Sequence, residues 1–102
     1  MSPSKVVREH VVLLTDLPNV GISLAGDLRL IGISRPDELR GRDPYAMHET
    51  LCALTGVRHD PCVIDVFISV TRFMNGEPTA VWWQFTEERK NMLRNRGDRV
   101  RT

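Results

Sequence analysis

The sequence predicts an all-α fold, a compact array of five or six short helices, and three observations carry that reading. Apolar residues recur at spacings of three and four along most of the chain. Ser34 with Pro36, Asp43–Pro44 and Asp60–Pro61 each combine a capping side chain with a helix-starting proline, while Gly32, Gly41, Gly56 and Asn75–Gly76 supply the stops. No segment shows the alternation of a half-buried strand. Short connections between short helices imply an orthogonal packing rather than a long parallel bundle.

Element by element, residues 1–4 are expected to lack structure. Lys5–Leu14 carries Val6, Val7, His10, Val11, Leu13 and Leu14 on a usable helical face, although its valines also suit a strand. Thr15–Gly21 is a turn. Leu24, Ala25, Leu28 and Ile31 then predict a helix that stops at Gly32. A short helix from Ser34 to Gly41 follows, with Asp37 and Glu38 in its first turn. Asp43–Pro44 opens a helix with Met47, Leu51 and Leu54 inward. Asp60–Pro61 opens "CVIDVFISVTRFM", whose Val63, Val66, Phe67, Val70, Phe73 and Met74 predict the central helix. "EPTAVWWQF" is an extended connection, and Thr86 is placed to cap a last helix ending near Asn95.

The 102 residues suit one domain, taken as 5–95 with a basic flexible tail at 96–102, and 41% hydrophobic content supplies one core. The formal charge of +1 is uneven: six basic and three acidic residues lie between Glu87 and Thr102, against eight and ten before them. Cys52 and Cys62 are too few for a disulfide framework. With no secretory signal at the N-terminus, whose longest apolar run is "VVLL" at 11–14, and no segment of transmembrane length, a cytoplasmic protein is expected.

The most informative stretch is "LTDLPNVGISLAGDLRLIGI", residues 14–33. Pro18 fixes its own φ, Asn19 tolerates positive φ, and Gly21 is expected to hold a conformation costly for other residues. Such a reversal leaves the N–H groups of about Val20 to Ser23 at a helix start, where partial positive charge favours phosphate. A plain helix–helix turn is the alternative. "LPNVGISLAGDLRLIGI" resembles the helix-hairpin-helix motif of DNA repair and recombination proteins, through Leu17, Pro18, Val20, Gly21, Ala25 and Leu28. Over about residues 12–90, "LTDLPNVG", "DLRLIGI", "LRGRDPY", "LCALTGVRHDPCVIDVF" and "WWQFTEERK" resemble the bacterial pathogenicity-locus proteins, also called mitomycin-resistance proteins. The chain is similar, too, to the C-terminal hairpin domain of bacterial competence regulators. The resemblance implies a stand-alone, SAM-like helix-hairpin-helix domain, and by analogy a monovalent cation held by turn carbonyls around Leu17 and Val20. Two positions depart from the DNA-binding pattern: Asn19 replaces its first glycine, and Ser23 a lysine that faces phosphate. "LTGVRHDPCVIDVF" aligns with the first hairpin if one residue is inserted, matching Leu54 to Leu17 and Val57 to Val20, so a paired hairpin is open.

The function this predicts is non-enzymatic, sequence-independent DNA binding, in repair or stress response. Backbone donors come from Asn19, Val20, Gly21, Ile22 and Ser23, with charge from Arg29, Arg58 and the tail arginines. The expected partner is duplex DNA, weakly held, and no membrane. The alternative is a protein-interaction module on the same fold, binding another protein or a second copy. A third reading, a metal sensor, rests on His48, Cys52, His59 and Cys62, whose spacing fits no standard zinc finger; no cofactor or metal is assigned. Trp82 and Trp83 suit either a stacking platform for single-stranded bases or packing beneath the last helix. Asp27 and Asp65 read as surface or capping residues, and no cluster of catalytic type is present.

Overall fold

Chemistry at the helix ends accounts for much of the architecture in this computed structural model, which describes the backbone of residues 2–101 and the side chains of residues 2–96. Among these residues there are four α-helices, α1 (Ile22–Leu30), α2 (Pro44–Thr55), α3 (Cys62–Met74) and α4 (Thr86–Arg101), with five short 3-10 turns and no strand. Asp43 caps α2, its Oδ1 accepting from the N–H groups of Tyr45 at 2.9 Å and Ala46 at 3.4 Å. Asp60 Oδ1 accepts from the Cys62 N–H at 2.9 Å, and this bond holds the Asp60 carboxyl below its usual range. The segment after Ser34 is a single 3-10 turn, Pro36–Leu39. Its cap runs backward from the expected one: Glu38 Oε1 accepts from the N–H groups of Ser34 and Arg35, and the Ser34 hydroxyl is not used.

Helix α3 is central, packing against α2 and against the 3-10 turn Trp82–Phe85. Its Phe67, Val70 and Phe73 join Leu14, Leu17, Val20, Ala25 and Leu28 in one core. Leu54 departs from the expected inward face of α2 and is exposed. It sits beyond the last full turn of the stripe that buries Met47 and Leu51, just before Gly56 turns the chain away.

Three expectations are corrected. Lys5–Leu14 is not a helix but extended chain with 3-10 turns at Pro3–Lys5 and Arg8–His10. The β-branched run resists a helix, and tertiary contacts of Arg8 fix the alternative. The Arg8 guanidinium lies 4.0 Å from the Phe73 ring centroid and donates to the Phe73 and Glu77 carbonyls. Thr86 does not cap α4. It is the first residue of that helix, and its hydroxyl donates to Asp65 Oδ2 at 2.8 Å. Asp65 itself is fully buried rather than on the surface, and Arg89 closes over it with Nε at 2.9 Å from Oδ1 and Nη2 at 3.3 Å from Oδ2. That carboxylate, first, raises the Arg89 pKa. Helix α4 runs past Asn95, and the flexible tail expected at 96–102 lies, after Arg96, outside the described side chains.

Candidate nucleic-acid interface

Residues 17–21 reverse the chain between the 3-10 turn Leu14–Asp16 and α1. Leu17 and Val20 are buried, which plants both ends of the reversal in the core. Asn19 takes φ 66°, the left-handed conformation that asparagine tolerates better than other L-residues apart from glycine. Gly21 does not: at φ −101° and ψ −172° it is ordinary extended chain, and a Cβ there would meet nothing within 4 Å. The conformational demand of this turn falls on residue 19 alone.

Asn19 does more than permit the turn. Its Nδ2 donates to Ser69 Oγ at 3.1 Å and to the Ala80 carbonyl at 2.9 Å. Ser69 can accept because its own hydroxyl proton goes to the Val66 carbonyl at 2.7 Å. The turn is thereby tied to α3 and to the segment leading into Trp82. Nothing in the local sequence announces this, since the partners lie 50 and 61 residues away.

At the start of α1 the first intrahelical bond runs from the Ala25 N–H to the Gly21 carbonyl at 3.0 Å. The N–H groups of Ile22, Ser23 and Leu24 therefore have no carbonyl one turn back, and Gly21 contributes no side-chain cap. Ile22 and Ser23 are exposed. An open groove of about 490 Å³ adjoins this point, lined by Ser2 and Pro3, by Asn19, Val20 and Gly21, and by Val81, Trp82 and Trp83. Trp83 is 62% exposed and meets Trp82 edge to face at 5.6 Å between centroids. Neither indole joins the core clusters, so the packing role anticipated for the pair does not hold for Trp83.

The charged residues expected beside the hairpin are elsewhere. Arg29 is exposed in the last turn of α1, and Arg58 lines a separate cleft with Tyr45, His48 and Cys52. Among the described residues no Lys or Arg lines the hairpin groove. The second "Leu–x–Gly–Val" stretch shares one backbone feature with the first, Gly56 at φ 68°, but Leu54 and Val57 are exposed where Leu17 and Val20 are buried.

The candidate metal ligands are held in local hydrogen bonds, with Cys52 Sγ 3.8 Å from His48 Nε2. His48 Nε2 donates to the His59 carbonyl at 3.0 Å, which fixes its tautomer because a carbonyl only accepts. Thr55 already gives its proton to the Leu51 carbonyl, so at 2.9 Å its oxygen accepts from His59 Nε2. Cys52 Sγ accepts from the His59 N–H at 3.4 Å. Cys62 bonds toward Asp60, which with burial pushes its thiol pKa up. Among the described residues no three His, Cys, Asp or Glu side chains gather as a metal site. No described helix is long and apolar enough to cross a membrane.

A mitomycin resistance protein, McrB, from Streptomyces lavendulae is 42% identical over 84 residues, covering 82% of this chain and 80% of that relative. No solved structure matches the chain. The family model described as "Pathogenicity locus" matches residues 7–91, and the chain belongs to that family.

Proposed function

We propose that the chain is a helix-hairpin-helix module that binds duplex DNA without sequence preference and without catalysis, holding a phosphate on the N–H groups of Ile22, Ser23 and Leu24. The observation that carries this reading is the uncapped start of α1 directly after a left-handed Asn19, a backbone arrangement that presents donors and dipole to an anion. The hairpin's two helical arms would be Leu14–Asp16, as a single 3-10 turn, and α1. A single hairpin is favoured over a pair, because the second stretch exposes Leu54 and Val57. A role in mitomycin resistance comes to this chain only from the name of its Streptomyces relative.

A second reading has its own support. Among the described residues no Lys or Arg lines the groove beside the hairpin, and Ile22, next to Gly21 in that lining, is 86% exposed, which suits a protein partner. Titration of a duplex at two salt concentrations separates the two. For DNA we expect about three to five phosphate contacts, a log–log salt slope of roughly −3 to −4.5 and a Kd no tighter than about micromolar at physiological salt. Ile22→Glu sharpens the test. A carboxylate at this position suits the helix dipole, so folding is kept while phosphate is repelled. The slope should become shallower by about one. Absence of DNA binding at low salt would leave the interaction module as the function.

A further inference from the structure

We propose that the cleft between α2, α3 and α4 is a binding site for a small organic oxyanion, a carboxylate or phosphate monoester carried on an apolar body. The cleft is about 200 Å³ in volume and among the described residues shares none of its lining with the hairpin groove, so this site stands apart from the DNA reading. Helical periodicity builds one wall: Tyr45, His48 and Cys52 fall on a single stripe of α2. Ile64 of α3 and Leu93 of α4 supply apolar surface opposite.

Two observations point to a ligand and to its charge. Tyr45 is only 7% exposed, yet its hydroxyl has no hydrogen-bond partner, the one such buried side-chain atom among the described residues. A buried hydroxyl left unpaired is costly, and an acceptor oxygen from a ligand would satisfy it. The cleft also carries two guanidinium groups. Arg58 makes no ion pair among the described residues, and Arg96 stacks 4.8 Å from the Tyr45 ring centroid. The opposing carboxylate, Glu49, is 3.9 Å from Arg96 and its side chain is 76% exposed, which weakens its claim on that charge. His48 adds no donor through Nε2, already bound to the His59 carbonyl. Two cations, a waiting phenol and apolar walls are complementary to an anion with a hydrocarbon part, as guanidinium–oxyanion pairing favours.

The test uses the whole chain labelled with nitrogen-15 and four probes: phenyl phosphate, benzoate, benzyl alcohol and inorganic phosphate. At least one aromatic anion should shift amides around Tyr45, Cys52 and Arg58 with a Kd of about millimolar, as expected for a ligand of that size. Which of the two binds tighter identifies phosphate or carboxylate as the natural group. Arg58→Gln and Tyr45→Phe, neither of which removes a hydrogen bond seen in the fold, should each weaken binding about threefold or more. Bound anion should also slow alkylation of Cys52 by iodoacetamide while leaving Cys62, outside the cleft, unaffected. Equal binding of benzyl alcohol, shifts confined to Gly21–Leu24, or affinity unchanged in both variants would overturn the proposal, as would no binding at about 10 mM of either aromatic anion.

Discussion

Replacing Asn19 by glycine and, separately, by alanine divides the work of that residue into its backbone and side-chain parts. Asn19→Gly keeps the left-handed φ at no steric cost but removes both bonds of Nδ2, at 3.1 Å to Ser69 and 2.9 Å to Ala80. Each neutral hydrogen bond contributes about 1 kcal/mol net, and glycine recovers a fraction of the backbone strain, so a loss of about 1–2 kcal/mol is expected. Asn19→Ala loses the same two bonds and places an ordinary L-residue at φ 66°, which costs about 1–2 kcal/mol more. Its total should be about 2–4 kcal/mol. Urea unfolding at neutral pH, with unchanged m-values, measures both. A glycine variant as stable as the parent would show that the ties to Ser69 and Ala80 contribute nothing. Equal losses for glycine and alanine would show that the left-handed conformation carries no strain.

Gly21→Ala should change stability by no more than about 0.5 kcal/mol, since the residue is extended and its Cβ would enter open space; a loss above about 1.5 kcal/mol in the same urea assay would restore a strained Gly21. Asp65→Ala should cost about 3–5 kcal/mol, because it strands Arg89, whose side chain is only 12% exposed, and removes the acceptor of Thr86. A loss under about 1 kcal/mol would mean that Arg89 turns to solvent and the ion pair is not what seats α4.

What could be read from the sequence was what adjacent residues decide together. Asp43 and Asp60 cap within three residues of themselves, and Gly56 stops α2 through its own φ, so helix starts and stops were visible. The stripe Phe67, Val70 and Phe73 was visible because one helix face must be apolar. The failures are contacts made at long range. Arg8 reaches 65 residues to Phe73, and without that partner a valine-rich stretch reads as well for helix as for extended chain. Asp65 reads locally as a surface or capping carboxylate, and its burial is not legible because its partners, Thr86 and Arg89, lie on another helix. At the hairpin the sequence locates the turn and Asn19's tolerance of positive φ, but it also expects a costly conformation at Gly21, which glycine's freedom suggests and the extended backbone there does not need. Trp83 beside the hairpin, and Arg58 away from it, depend on how α3 seats its neighbours, which no local pattern encodes.

The arginines folded into this structure set a ceiling on its attraction for polyanions. Arg8 and Arg40 are bonded to the Phe73 and Met74 carbonyls at the end of α3, where a cation also complements the helix dipole. Arg72 is paired with Glu88 and Arg89 with Asp65. A guanidinium in such a place can turn to a passing phosphate only by releasing a bond that shapes the molecule. Composition therefore overstates the mobile positive charge: these four residues hold the fold, and whatever polyanion the surface meets must be held by the remainder and by the backbone itself.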